Sequence, residues 1–183
     1  MELAVGRSIP FRAVVTDSFY GEDWGFKGAL EELGTGYVLA LKPSHAWWHK
    51  VGKVGQIGSP WAVAVVAGQR WEGERHPGDW VKVMRRFRDG HEEVWWALEV
   101  DVGPYGPRRE RRSVAATTDP KELPDKATWY LTTNLPHPDS ERAAESELEA
   151  ADLAEIVRLY GLRMWLSKVT SRSTTSSDGA TTR

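Results

Sequence analysis

The stretch from Phe11 to Leu41 constrains this chain more than any other, because it compresses a strand, a helix and a second strand into one short unit. Phe11-Arg-Ala-Val-Val-Thr16 is a Val-rich apolar run that ends at Asp17 and the turn-like Ser18-Phe19-Tyr20-Gly21. From Trp24 to Leu33 the apolar positions Phe26, Leu30 and Leu33 recur at helical spacing, and Gly34 and Gly36 stop the helix before Tyr37-Val-Leu-Ala-Leu41. Two strands joined by so short a helical crossover lie parallel, with both faces covered. An α/β fold of mixed α+β character follows. Ahead of this unit, Met1-Glu-Leu-Ala-Val-Gly6 reads as the end of a helix with a Gly stop, and Pro10 closes the connection, so the chain looks like a beginning in mid-domain.

Beyond Leu41 the pattern changes. Residues 42–60 mix Gly and Pro with Lys and His and read as an irregular linker. In Val94–Val102 the residues Val94, Trp96, Leu98, Val100 and Val102 alternate with Trp95, Ala97, Glu99 and Asp101, the period of a half-buried strand. Val81–Arg88 precedes it across the hairpin signal Asp89-Gly90-His91, and strand-like Ser113–Thr117 and Thr128–Thr132 follow. The middle of the chain, from about residue 60 to 135, is therefore expected to be an antiparallel β block. From Asp139 to Trp165 the spacing turns helical, with Leu153, Ile156, Val157, Tyr160 and Met164 as an apolar stripe. After Trp165 it breaks: ten of the 18 residues 166–183 are Ser or Thr, a composition that cannot bury enough surface to order itself.

Composition narrows the chemistry. With no Cys among 183 residues, disulfide scaffolds, thiolate zinc sites and Cys nucleophiles are excluded. The 24 Lys and Arg against 26 Asp and Glu leave a net charge of −2, so any nucleic-acid role has to come from a local site. No apolar run is long enough to cross a bilayer and no signal sequence opens the chain, which points to the cytoplasm.

Four features are candidates for function. Asp17, at the carboxyl end of a buried strand, is placed either to hold a hard cation such as Mg²⁺ or to cap the following turn. His45 and His49, four residues apart, suit a metal if that stretch is helical and a packed aromatic turn with Trp47 and Trp48 if it is not. The basic clusters Arg85-Arg86-Phe87-Arg88 and Arg108-Arg109-Glu110-Arg111-Arg112 either hold phosphates or form solvated hairpin ends. The ten Trp residues offer either stacking surfaces for bases or sugars, or core packing.

Three segments in order carry a resemblance: Phe11–Gly21 with the helix and strand after it; Thr128-Trp-Tyr-Leu-Thr-Thr-Asn-Leu-Pro136; and Ala154-Glu-Ile-Val-Arg-Leu-Tyr160-Gly-Leu-Arg163-Met-Trp165. Together they resemble the DDE-type transposases of bacterial insertion sequences, over nearly everything up to Trp165. The resemblance implies a partial RNase H-like core in residues 1–165, interrupted by a β-strand insertion at about 60–135. It makes Asp17 the second catalytic acid and a metal ligand. Tyr160 and Arg163 match the start of the family signature Y-x-x-R-x-x-x-E-x-x-x-x-x-x-K. In the family, three carboxylates around two Mg²⁺ ions, with Mn²⁺ as a substitute, promote DNA strand cleavage and transfer. The first acid lies on an earlier strand than any here, and the third falls where this chain has Ser167.

The tail at 166–183 reads as out of frame. Back-translating Leu166 through Ala180 and reading from the third base gives E-Q-S-Y-K-Q-V-N-D-E-L-G-W-G-D, similar to the family's stretch after its Tyr-Arg motif. Restoring one G after the Trp165 codon puts Val and then Glu directly behind Trp165. The expectation is a truncated, frameshifted remnant, inactive in cleavage or transfer. The alternative is a non-catalytic module that binds insertion-sequence ends through Arg108, Arg109, Arg111 and Arg112, or pairs with intact transposase. A third reading takes the Trp-rich β block as a carbohydrate-binding surface. No membrane partner is expected.

Overall fold

The computed structural model describes residues 11–51, 54–87, 89–100 and 111–173. Its strands and helices in chain order are β1 (Val14–Thr16), α1 (Ser18–Gly21), α2 (Trp24–Glu32), β2 (Tyr37–Ala40), β3 (Trp47–Val51), β4 (Val54–Gly58), α3 (Pro60–Gln69), β5 (Val81–Arg86), β6 (Glu92–Val100), β7 (Arg112–Thr117), β8 (Thr128–Thr133) and α4 (Leu153–Ser173). The readings of Met1–Gly6 and Pro10, and of Arg88, Arg108, Arg109 and residues 174–183, lie outside the described residues.

The opening unit folds as its pattern demands. Asp17 and Asp23 cap α1 and α2 by accepting from the amides of Phe19 and Phe26, and β1 runs parallel to β2 with Val14 opposite Tyr37. Six strands form one sheet in the order β1-β2-β8-β7-β6-β5. The strand-rich middle is thus a direct continuation of the opening unit: β8 pairs antiparallel with β2, Leu39 opposite Thr132, and β7, β6 and β5 add outward, each antiparallel to the last. The result is a mixed α/β architecture consistent with a partial RNase H-like fold.

Residues 42–60 correct the expectation of a linker. Most of them form the β3–β4 hairpin, a separate two-stranded sheet in which Gly58 pairs with Trp47 and Gly55 with Lys50. Gly55 and Gly58, which read as loop, are accommodated in the ladder opposite larger residues. Helix α3, which no period announced, starts at Pro60 behind the Ser59 cap, whose hydroxyl accepts from the Ala62 amide. Helix α4 corrects the tail: it continues through Ser173, past the compositional break at Trp165. No Gly or Pro interrupts residues 166–173, and extending an existing helix costs far less than nucleating one.

Helices cover both faces of the sheet. On one face Ile156, Val157, Leu159 and Tyr160 of α4 meet Val38, Val83, Trp95, Ala97, Val114, Ala116 and Leu131. On the other, Ala64 and Ala67 of α3 meet Trp80, Trp96, Leu98, Ala115 and Tyr130, while Leu30 of α2 packs with Tyr37 and Leu39. Burying side chains such as Leu131 and Ile156, each fully inaccessible, contributes about 1.5–3 kcal/mol apiece. Trp80, Trp95 and Trp96 are core residues, whereas Trp24 and Trp61 are exposed. Among the described residues no helix is long and apolar enough to cross a membrane.

Candidate functional site

Strand directions decide where the site lies. Since β1, β2, β7 and β5 run one way and β6 and β8 the other, the carboxyl ends of the first four and the amino ends of the last two share one edge of the sheet. That edge collects Asp17 after β1, Trp129 at the start of β8 and Arg85 at the end of β5. Carboxyl ends of strands are where open sheets form ligand crevices.

The long helix α4 crosses this edge and delivers Tyr160 and Arg163 to Asp17. Arg163 Nη2 donates to Asp17 Oδ2 at 3.0 Å across 146 residues of sequence, and Arg163 Nη1 approaches the Tyr160 hydroxyl at 3.4 Å. The other Asp17 oxygen, Oδ1, accepts from the Phe19 amide at 3.2 Å, so Asp17 caps α1 and pairs with α4 at once. Tyr160 is buried, which pushes its hydroxyl above the ordinary tyrosine range against the opposing pull of Arg163. The structure therefore brings together all three residues that the resemblance assigned to one site.

The Asp17–Arg163 pair is half exposed, with side chains 46% and 33% accessible. Pairs of that kind contribute about 0–1 kcal/mol. A double-mutant cycle with Asp17→Asn and Arg163→Met, read by urea unfolding, is expected to return a coupling below about 1 kcal/mol; a coupling of 2 kcal/mol or more, on the scale of buried pairs, would make the contact a stability device.

The donor set at Asp17 does not fit a magnesium ion. One oxygen faces an amide, the other a guanidinium, and among the described residues no group of three or more His, Asp or Glu could hold a metal. Ser167, where the resemblance places the third acid, lies on α4 one turn beyond Arg163 and carries no carboxylate. His45 sits in the turn after β2 and His49 on β3, so they share no helical face. His45 instead faces Glu22 at 3.7 Å, and burial lowers its pKa.

Arg111 and Arg112 correct the phosphate-binding expectation. Arg111 donates to Glu31 at 2.7 Å and lies over the Trp24 ring. Arg112 is buried, with two 2.7 Å bonds to Glu99 and further bonds to backbone carbonyls. Both cations are committed to internal partners. Arg108 and Arg109 lie outside the described residues.

A row of side chains that sequence reading treated only as a basic cluster and a set of Trp residues continues the site across the sheet. The Tyr160 ring meets Trp129 at 5.0 Å, and Trp129 meets Trp95 at 4.1 Å. Above them Arg85 reaches back to α4, donating to the Gly161 carbonyl at 3.4 Å. A Cβ at Gly161 would lie 2.9 Å from Arg85 Nε, so glycine after Tyr160 gives the arginine room that a larger residue would take by pushing the guanidinium aside. The signal was available in the Tyr160-Gly161 pair but had no meaning without the fold.

The fold and site define an α/β protein with a strand-end carboxylate gripped by a Tyr-x-x-Arg helix. In sequence the chain is similar to the protein of Microchaete diplosiphon described as "Probable transposase for insertion sequence element IS701": 28% identical over 159 residues, 85% of this chain. That similarity bears out the resemblance to insertion-sequence transposases, and the chain spans about a third (32%) of that relative's length. No family model and no solved structure matches it.

Proposed function

We propose that the chain is part of the catalytic domain of a DDE-type insertion-sequence transposase, with Asp17 as the second acid and Tyr160 and Arg163 as its companions, and that by itself it does not cleave or transfer DNA. The observation that supports this best is the meeting of Asp17 with Tyr160 and Arg163 at the carboxyl edge of the sheet. Metal-dependent phosphoryl transfer relies on paired cations to activate the attacking oxygen and stabilise the leaving one, and that pair needs several carboxylates. One aspartate already paired with an arginine is not enough. In this reading the intact family uses Mg²⁺ or Mn²⁺ and acts on insertion-sequence ends in the bacterial cytoplasm.

The purified chain, given Mg²⁺ or Mn²⁺ and DNA carrying insertion-sequence ends, is expected to leave the DNA intact on a denaturing gel. Cleavage that disappears in Asp17→Ala would overturn the inactivity. The encoding DNA tests the assignment separately: coding for an earlier strand with its acid upstream, and the Glu motif in the next frame after Trp165, is the expected result. A second reading, a non-catalytic module that contacts DNA or intact transposase, is favoured by one feature, the Arg85 cluster at the same edge.

A further inference from the structure

We propose that Arg85, with the aromatic wall of Phe87, Trp95 and Trp129, is a subsite for a phosphodiester group of a DNA strand lying along the edge that carries Asp17, Tyr160 and Arg163. The inference rests on the transposase reading for its choice of ligand, but its physical basis is local. The Arg85 guanidinium carbon stands 4.3 Å from the Phe87 ring centroid, 5.0 Å from that of Trp129 and 5.4 Å from that of Trp95. Three rings pack against one cation and fix its place at the edge.

Among the described residues the charge inside that wall has no carboxylate in ion-pair contact, none coming within 4.0 Å of Arg85, whereas Arg12, Arg111, Arg112 and Arg163 each have one. Glu93, its cross-strand partner, is turned to other groups: its carboxylate accepts from Trp95 Nε1 at 3.1 Å and lies 3.7 Å from His91. Among the described residues, the guanidinium has one hydrogen-bond partner, the Gly161 carbonyl at 3.4 Å. Burial lowers the Arg85 pKa and Glu93 only partly opposes it. The remaining donors of this half-buried cation are open to an incoming anion, and a planar fork matches the paired oxygens of a phosphate.

Position supplies the ligand. Arg85 touches α4 at Gly161, between Tyr160 and Arg163, and Tyr160 touches the Trp129 wall. A strand anchored by one phosphate at Arg85 would run over the helix face that ends at Asp17. Aromatic rings beside a backbone-binding cation are also what a single-stranded segment uses for support.

The test is fluorescence anisotropy of a short labelled DNA of mixed sequence, titrated over a range of salt. Arg85→Gln is expected to weaken binding about tenfold at low salt and to reduce the slope of log K against log salt by about one. Arg85→Lys should keep the slope and lose part of the affinity. For protection against failure of the variants to fold, the wild-type protein is treated with phenylglyoxal with and without DNA and the Arg85 peptide read by mass spectrometry; DNA should shield it. A folded Arg85→Gln with unchanged affinity and slope, an unshielded Arg85, or wild-type protein that does not bind at low salt would each overturn the subsite. None of these outcomes touches the transposase assignment, which stands or falls on the flanking DNA.

Discussion

Arg112→Met is expected to destabilise the protein by about 3 kcal/mol, toward the low end of the 3–5 kcal/mol typical of breaking a buried ion pair. Arg112 is a four-way fastening. Its Nε and Nη2 hold the two Glu99 oxygens at 2.7 Å, joining β7 to β6. Its Nη1 donates to the carbonyls of Leu135 and Pro136 at 3.3 Å and to that of Ala151, which fixes the segment after β8 and the approach to α4. Removing the cation takes a donor from the carboxylate and from three carbonyls, of which, among the described residues, only that of Pro136 keeps another, the Ala151 amide at 2.9 Å, and methionine supplies only volume. Glu99 keeps 27% of its side chain in contact with water, so it rehydrates in part, which sets the loss near the lower limit. Arg112→Lys keeps the charge but cannot make the fork and the carbonyl bonds together, so it should recover less than half. The double variant Arg112→Met, Glu99→Met should be more stable than Arg112→Met alone, because no unpaired charge remains. Urea unfolding followed by Trp fluorescence checks all three; a loss under 1 kcal/mol for Arg112→Met would mean the fastening is redundant.

This residue also marks the limit of reading a chain by its neighbours. Helix α2 was legible because its start, spacing and stop lie within one short stretch, and the expected Trp24–Leu33 differs from the observed Trp24–Glu32 by one residue. The β5–β6 hairpin was legible for the same reason, its alternation and its Asp-Gly turn being local. Helix α3 was not: Trp61, Ala62, Val63, Ala64, Val65, Val66 and Ala67 are apolar all round, so no face announces itself. The hairpin at 47–58 was hidden by glycines that only pairing partners explain. Arg111 and Arg112 looked like a basic surface cluster because Glu31, the partner of Arg111, lies 80 residues away and the carbonyls held by Arg112 lie 23 to 39 away. At the site, Asp17 was legible as a strand-end carboxylate, yet its junction with Arg163 spans 146 positions and was reachable only through the likeness to a transposase motif. Local rules found the elements; long-range charge pairing had to be seen.

Two glycine-to-alanine changes should move stability in opposite directions. In a helix, alanine is ordinarily favoured over glycine by up to about 1 kcal/mol. At Gly28 in α2 a Cβ would meet nothing within 4 Å, so Gly28→Ala is expected to stabilise by several tenths of a kcal/mol. At Gly21 in α1 the same methyl would stand 1.8 Å from the Ala40 carbonyl oxygen and 2.9 Å from its carbon. That backbone cannot retreat, because β2 is held between β1 and β8, with Leu39 opposite Thr16 and Ala40 opposite Leu131. Helix α1 must move instead, and with it the Gly21 carbonyl that accepts from buried Lys27 Nζ at 2.9 Å. Overpacking of this kind costs about 1–3 kcal/mol or more, which exceeds the propensity gain, so Gly21→Ala should lose about 3 kcal/mol. Because Asp17 caps the same helix, the shift should also break the 3.0 Å contact with Arg163, visible as a changed Arg163 side-chain NMR resonance under conditions where the variant is still folded. If Gly21→Ala matches Gly28→Ala in stability and leaves that resonance in place, α1 does not set the position of Asp17.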